Sequence, residues 1–252
     1  MTTAHRYLSD MKRQVLIDGD IMIYRAAWAT DKKSIKDAKD ALDYMMRDII
    51  KVTGTSKEAV KVFLTGKGNF RYDLVKLGDE YKGTRKDVRR PVHKKELIEY
   101  MNSEWPNVIT SEGEEADDLI GIGATDAGPT CVVVTVDKDM LQLPCEHYNP
   151  VRREWQTVTE WEGLKFFYTQ ILTGDKADNI IGLMGIGPVK AKKILEECHT
   201  EAELYLACVV AYEGDTAKVL ENGRLLWLRR YIGQLWEYSF NDDTEDSEQS
   251  ST

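Results

Sequence analysis

The chain lacks the features that would place it in a membrane, an oxidising compartment or a zinc site. No apolar run approaches the roughly 18 residues that a membrane helix needs, and the N-terminal segment MTTAHRYLSDMKRQ has no apolar core of the secretory kind. The sequence therefore reads as soluble. The cysteines Cys131, Cys145, Cys198 and Cys208 show no CxxC spacing, and two of them sit in apolar segments where a free thiol behaves as a small hydrophobe. A reduced, cytoplasmic setting fits that usage. No His or Cys stands at metal-ligand spacing, and no internal repeat is present.

What the chain does have is carboxylate, placed in a recurring way. An apolar run stops and acids follow at once in VLIDGD (Asp18, Asp20), EGEEADDLI (Glu115, Asp117, Asp118), VVVTVDKDM (Asp137, Asp139) and ILTGDKADN (Asp175, Asp178). Acids at the carboxyl ends of buried strands lie at the rim of an α/β sheet, where ligands bind. Crowded there they repel one another, which calls for a cation, and all-oxygen donors favour Mg²⁺ or Mn²⁺. The formal net charge is −9, but KGTRKDVRRPVHKK (82–95) carries seven Lys/Arg against one Asp. An acidic floor beside a basic segment suits a phosphodiester substrate, although a solvated charged loop would look the same.

The 252 residues suffice for one large domain with a small appendage. QVLID, AVKVFLT, NVIT, TCVVVTV, HYNP and EWQTV read as strands, and helical spacing covers about 35–52, the region of Leu97 to Met101, and 114–126. Strands alternating with helices predict α/β architecture with a mostly parallel sheet. The segment 66–92 reads as an irregular excursion. After Glu160 the pattern becomes all helical, with short helices reaching about Tyr238, so a boundary is expected near 159. The tail NDDTEDSEQSST is too polar to fold alone.

GLMGIGPVKAKKIL combines Gly182, Gly185 and Gly187 with Pro188 at a helix start and Lys190, Lys192 and Lys193 beyond it. This form resembles the helix-hairpin-helix of DNA-binding proteins, with a plain helix-connecting turn as the ordinary reading. LIDGDIMIYR, EYKGTRKDVRRP, EGEEADDLIG, VTVDKDMLQL and GDKADNIIGLMGIGPVKA then follow in the order of the 5′-nuclease family. That family comprises flap endonucleases, the 5′-nuclease domain of bacterial DNA polymerase I and bacteriophage exonucleases, and the short chain most resembles the last. The resemblance implies a PIN-like three-layer domain over 1–159, a helical DNA-binding domain over 160–240 and a disordered tail over 241–252. It also implies two divalent ions, Mg²⁺ with Mn²⁺ as substitute, and a K⁺ ion at the helix-hairpin-helix.

By the same resemblance, Asp18, Glu115 and Asp117 match one metal site, with Asp118 nearby, and Asp137, Asp139, Asp175 and Asp178 match the other. Arg25, Lys82 and Arg85 match residues that draw the scissile phosphate toward the metals. Tyr81 resembles an aromatic that stacks on the terminal base pair, with a core ring as the ordinary reading. Arg89, Arg90, Lys94 and Lys95 belong to a short arch for single-stranded 5′ ends, and Gly185, Gly187, Lys190 and Lys192 to the duplex grip. Asp20 is expected to cap a helix. The implied activity is 5′-3′ exonuclease or flap cleavage of DNA, in primer removal during phage replication or in degradation of host DNA, by a monomer that could contact replication proteins.

One departure stands out. Where relatives carry an Asp after the second strand, this chain has Thr65-Gly66. A missing ligand would alter metal preference, be replaced by Asp20, or mark a DNA-binding module that has lost catalysis. A HAD-type phosphohydrolase would use Asp18, Asp20, Thr65, Asp175 and Asn179, but it needs a strand where LKFFYTQILT has helical period, and it leaves DKD and GIGPVKA without a role.

Overall fold

QVLID and CVVV, two short and mostly apolar runs, lie side by side at the centre of a six-stranded sheet that pairs their backbone groups. The computed structural model describes residues 13–75, 80–83 and 89–239. The expectations for Arg85, for the middle of the basic stretch and for the acidic tail fall outside these. β1 (Gln14–Asp18) pairs in parallel with β2 (Val60–Lys67) and with β4 (Cys131–Val134). β3 (Val108–Glu112) extends the sheet beyond β2, and β5 (Glu146–Asn149) lies parallel to β4. Only the edge strand β6 (Glu154–Thr157) runs antiparallel, giving the order β3-β2-β1-β4-β5-β6. Leu16, Ile17, Val132 and Val133 are fully buried because both faces are covered.

One face packs on α1 (Gly19–Ala29), α2 (Ile35–Thr53) and α3 (Lys94–Glu104), through Met22, Ala26, Leu42, Met46, Ile49, Leu97 and Met101. Ser34 starts α2 with a reciprocal capping box to Asp37, and Gly54 ends it in the left-handed conformation. The other face packs on α4 (Ala116–Ala127) through Ile120 and Ala124.

The helical part begins at α5 (Glu160–Thr173), started by a Thr159–Glu162 capping box. It continues through a two-stranded hairpin of β7 (Gly174–Asp175) and β8 (Ile180–Ile181) to α6 (Pro188–Ile194), α7 (Glu201–Ala211) and α8 (Thr216–Leu226). Phe167 is its hub, in edge contact with Trp227 and Trp236 at 4.8 and 5.2 Å between ring centres.

Helix does not reach Tyr238. After Leu226 the described chain is irregular, and its backbone groups are engaged by side chains from the sheet-bearing part of the chain. Arg71 donates to the carbonyls of Leu225 and Trp227, while Gln142 donates to that of Leu226 and accepts from Leu228 N. Leu228 consequently joins the core beneath α4. No helix among the described residues is long and apolar enough to cross a membrane.

Candidate active site

Parallel order brings the carboxyl ends of β1 and β4 together; β1 ends in Asp18, and β4 is followed closely by Thr135 and Asp137. Asp18 closes β1 and caps α1: Oδ1 accepts from Ile21 N at 3.1 Å, and Oδ2 accepts from Thr135 Oγ1 at 2.8 Å. Its burial, with Asp20 and Asp137 nearby, pushes its pKa up to about 7. The same Thr135 hydroxyl accepts from Asp137 N at 3.0 Å, so one side chain couples the ends of the two central strands.

Asp137 caps a 3-10 turn (Lys138–Gln142) and accepts from Asp139 N at 2.9 Å. Asp139 accepts from Gln170 Nε2 on α5 at 2.8 Å, and burial together with Asp137 pushes its pKa up to about 7. Asp117, on the first turn of α4, makes no hydrogen bond or ion pair among the described residues. Burial, Asp18, Glu115 and Asp137 hold it well above the ordinary carboxylate range. Asp175 accepts from Ala177 N at 2.6 Å and lies 3.2 Å from Lys138 Nζ.

Glu115 differs from these. Burial would raise its pKa, but Lys82 and Arg71 overcome burial and hold it low. Lys82 Nζ pairs with Glu115 and lies 3.7 Å from Asp178, while its backbone N donates to Asp178 O at 2.8 Å. This anchored lysine has φ +55°, a strained backbone state at a cluster of charged groups. Lys82, Asp117, Asp137, Asp139, Asp175 and Asp178 line a cavity of about 1080 Å³ that runs on to the turn of Gly185 and Gly187. Gly185 has φ +77°, Met184 beside it is wholly exposed, and Lys190 Nζ closes the turn on Gly185 O at 2.9 Å. Lys192 is exposed on α6.

Three expectations need correction. Tyr81 cannot stack on a base pair: it is 2 % exposed, and its hydroxyl lies 2.7 Å from Glu115 Oε2 and 3.0 Å from Asp178 Oδ2. Asp118 does not face the cavity; it is fully buried, and Arg71 grips both its oxygens at 2.6 and 2.8 Å. Asp20 caps no helix, since Asp18 has that place, and reaches instead to Thr65 N at 2.9 Å. Asp20 thus stands at the point where the sequence lacks its expected carboxylate. Gly66 beside it is sterically required, because a Cβ there would meet Ser111 O at 2.0 Å.

The basic residues divide. Arg89 pairs with Asp31 and covers Trp28, and Lys94 donates to Tyr24 Oη at 3.0 Å, so the start of α3 and the segment before it are fastened onto α1 and the turn that follows it. Lys95 lies 3.9 Å from Glu99. Arg25 and Arg90 are exposed and have no ion pair among the described residues. Sequence reasoning missed Arg71, Gln142 and Gln170, whose partners are all distant in the chain. Thr135 was findable, as a hydroxyl closing an apolar strand just before DKD.

Among the described residues no three His, Cys, Asp or Glu side chains lie close enough to hold an ion as they stand. The donor set nevertheless suits a hard divalent cation: Asp117 has no partner among the described residues, and Asp18, Asp117 and Asp139 are driven toward protonation by burial and by neighbouring carboxylates.

Residues 13–176 match the family described as 5′-3′ exonuclease, N-terminal resolvase-like domain. DNA polymerase I of Bacillus caldotenax is 30% identical over 82% of this chain and 26% of its own length. DNA polymerase I of Chloroflexus aurantiacus is 28% identical over 73% and 22%. The chain thus spans about a quarter of these polymerases, but 75% of the 5′-3′ exonuclease of Mycoplasma genitalium, which is 29% identical over 77% of this chain. Among solved structures, the flap endonuclease of bacteriophage T5 in a pseudo-enzyme-product complex with DNA and metal ions superposes with TM-score 0.65 at 18% identity, over 84% of this chain and 88% of that one. The T5 5′-exonuclease with bound zinc gives 0.65 at 19%, over 85% and 89%. At those identities the likeness is one of fold.

Proposed function

The chain belongs to the 5′-3′ exonuclease family through its N-terminal resolvase-like domain, and on that premise we propose that it is a divalent-metal-dependent nuclease that cuts DNA phosphodiesters at or near 5′ ends. The observation that carries this reading is the set of under-neutralised carboxylates beside the ends of β1 and β4: Asp18 is buried behind the cavity, and Asp117 and Asp139 line it together with Asp137, Lys82 and the glycine turn. Asp18, Glu115 and Asp117 would hold one ion, and Asp137, Asp139, Asp175 and Asp178 a second, with Mg²⁺ the chemical match. Ions bound there supply Lewis acidity and charge neutralisation for hydrolysis.

The protein's own residues do the rest. Lys82 and Arg25 offset charge on the phosphate, Arg85 being the third basic residue of this group by sequence. Thr135 fixes the relative positions of Asp18 and Asp137, and Tyr81 shares its proton between Glu115 and Asp178, keeping those two acids together. Residues 1–159 form the catalytic part, and residues 160–240 grip duplex through Gly185, Gly187, Lys190 and Lys192, where K⁺ would bind carbonyls of the turn. Action in the cytoplasm as a monomer, in primer removal during phage replication or in degradation of host DNA, accords with this chemistry.

The test uses a duplex with a 5′ flap, labelled at the 3′ end of the flap strand. Shortening from the 5′ side in Mg²⁺, absent in EDTA and reduced by at least about 100-fold in Asp137→Ala, is expected. A strand left intact in both Mg²⁺ and Mn²⁺, with a retained gel shift, would instead identify a DNA-binding module that has lost catalysis.

A further inference from the structure

A second cavity, of about 550 Å³, adjoins Asp137 and Lys138 on the side away from the glycine turn. Asp137 and Lys138 line both cavities, so the two form one path past the carboxylates. The walls of the second come from α1 and from the β5–β6 hairpin: Arg25 on one side, Asn149, Arg152 and Trp155 on the other.

The hairpin tip is built to hold its shape. Asn149 Oδ1 accepts from the backbone N of Val151 and of Arg152, both at 3.0 Å, and Arg153 N closes the turn on Asn149 O at 2.8 Å. The adjacent arginines then part company. Arg153 is pinned to Asp48 on α2 at 3.2 Å, whereas Arg152, like Arg25, is exposed and makes no side-chain bond among the described residues. Two arginines without an ion pair among the described residues therefore line one cavity, which Asp137 and Glu154 line as well. Trp155 is 41% exposed, with Tyr148 packed at 4.9 Å and the Arg13 guanidinium 5.3 Å from its ring centre. It gives the cavity a partly exposed aromatic wall.

We propose that this cavity is a single-nucleotide subsite for the cleaved strand, receiving the unpaired nucleotide on the 5′ side of the scissile phosphodiester. Its volume lies within the roughly 300–1,000 Å³ of small-ligand sites. Paired arginines are the side chains best suited to a phosphate, and an exposed indole suits a nucleobase of any sequence. The direction follows from the path: duplex held at the glycine turn occupies the larger cavity, so the strand that passes Asp137 and continues is the 5′ portion. This inference rests on the nuclease reading above.

The experiment is a cycle of protein and substrate changes. A 5′-flap duplex is prepared intact, with an abasic residue at the first unpaired position, and with a neutral methylphosphonate at that nucleotide's phosphate. Wild type, Trp155→Ala and Arg152→Ala are compared by kcat/KM in Mg²⁺ and by Kd from anisotropy in EDTA. The abasic change and Trp155→Ala should each cost roughly 10-fold, and the two together no more than either alone; Arg152→Ala and the methylphosphonate should be non-additive in the same way. Additive losses, or no loss, with an active wild type would overturn the subsite and leave the nuclease standing. A wild type that cuts nothing but shows the coupling in Kd would overturn the nuclease and keep the subsite.

Discussion

Arg71 and Asp118 form a two-pronged ion pair, at 2.6 and 2.8 Å, with side-chain exposures of 3% and 0%. Arg71 also donates to Leu225 O and Trp227 O, and Asp118 accepts from Glu115 N and Arg229 N, so the pair ties the turn before the basic segment, the start of α4 and the end of the helical part. Replacing one member leaves a buried charge without its partner. Arg71→Met is expected to lower unfolding free energy by about 3–5 kcal/mol, measured by urea denaturation. A loss below about 1 kcal/mol would mean that Asp118 finds water or protonates at little cost.

Tyr81→Phe separates the two readings of that ring. A solvent-facing ring that stacks on DNA would not need its hydroxyl for stability. The buried hydroxyl between Glu115 and Asp178 makes removal cost about 1–2 kcal/mol. An unchanged denaturation midpoint would return Tyr81 to the surface.

Positions 65 and 66 should respond oppositely to a new carboxylate. Gly66→Asp forces a Cβ into Ser111 O and is expected to destabilise by about 1–3 kcal/mol or more. Thr65 is exposed, and its hydroxyl accepts from Ala116 N at 3.1 Å, a bond that an aspartate oxygen can replace. Thr65→Asp should fold normally and should give a larger Mg²⁺-dependent rise in Tm than the parent. Equal rises would show that Asp20 already meets the need.

Carboxylate crowding predicts an unusual pH profile for the protein in EDTA. Asp18 and Asp139 have folded pKa values of about 7 against an ordinary 3.8. Between those values the folded state binds more protons than the unfolded chain, so these groups make stability fall as pH rises from about 4 to 7. Tm in EDTA should be higher at pH 5.5 than at pH 7.5, and Mg²⁺ should remove most of the difference. A flat or rising trend would indicate that the charges are already compensated.

The sheet was legible because burial on both faces demands uninterrupted apolar runs such as CVVV, and alternation with helical periods then implies parallel order. The acids following those runs were legible for a related reason, since parallel order puts every strand's carboxyl end on one side. Chain chemistry alone thus determined the class of the fold, the rim where the carboxylates gather and the turn of Gly185 and Gly187. It could not sort the acids from one another. Asp117 and Asp118 are neighbours in a single helical turn, yet one lines the cavity and the other is closed off by Arg71, 47 positions earlier. The burial of Tyr81, the reach of Asp20 to Thr65, the space denied at Gly66 and the presence of Arg25 and Arg152 in the lining of one cavity have the same origin. Each depends on which distant segment packs alongside, and tertiary structure alone decided it, because a hydrogen bond or a steric contact between remote residues leaves no periodic trace in the sequence.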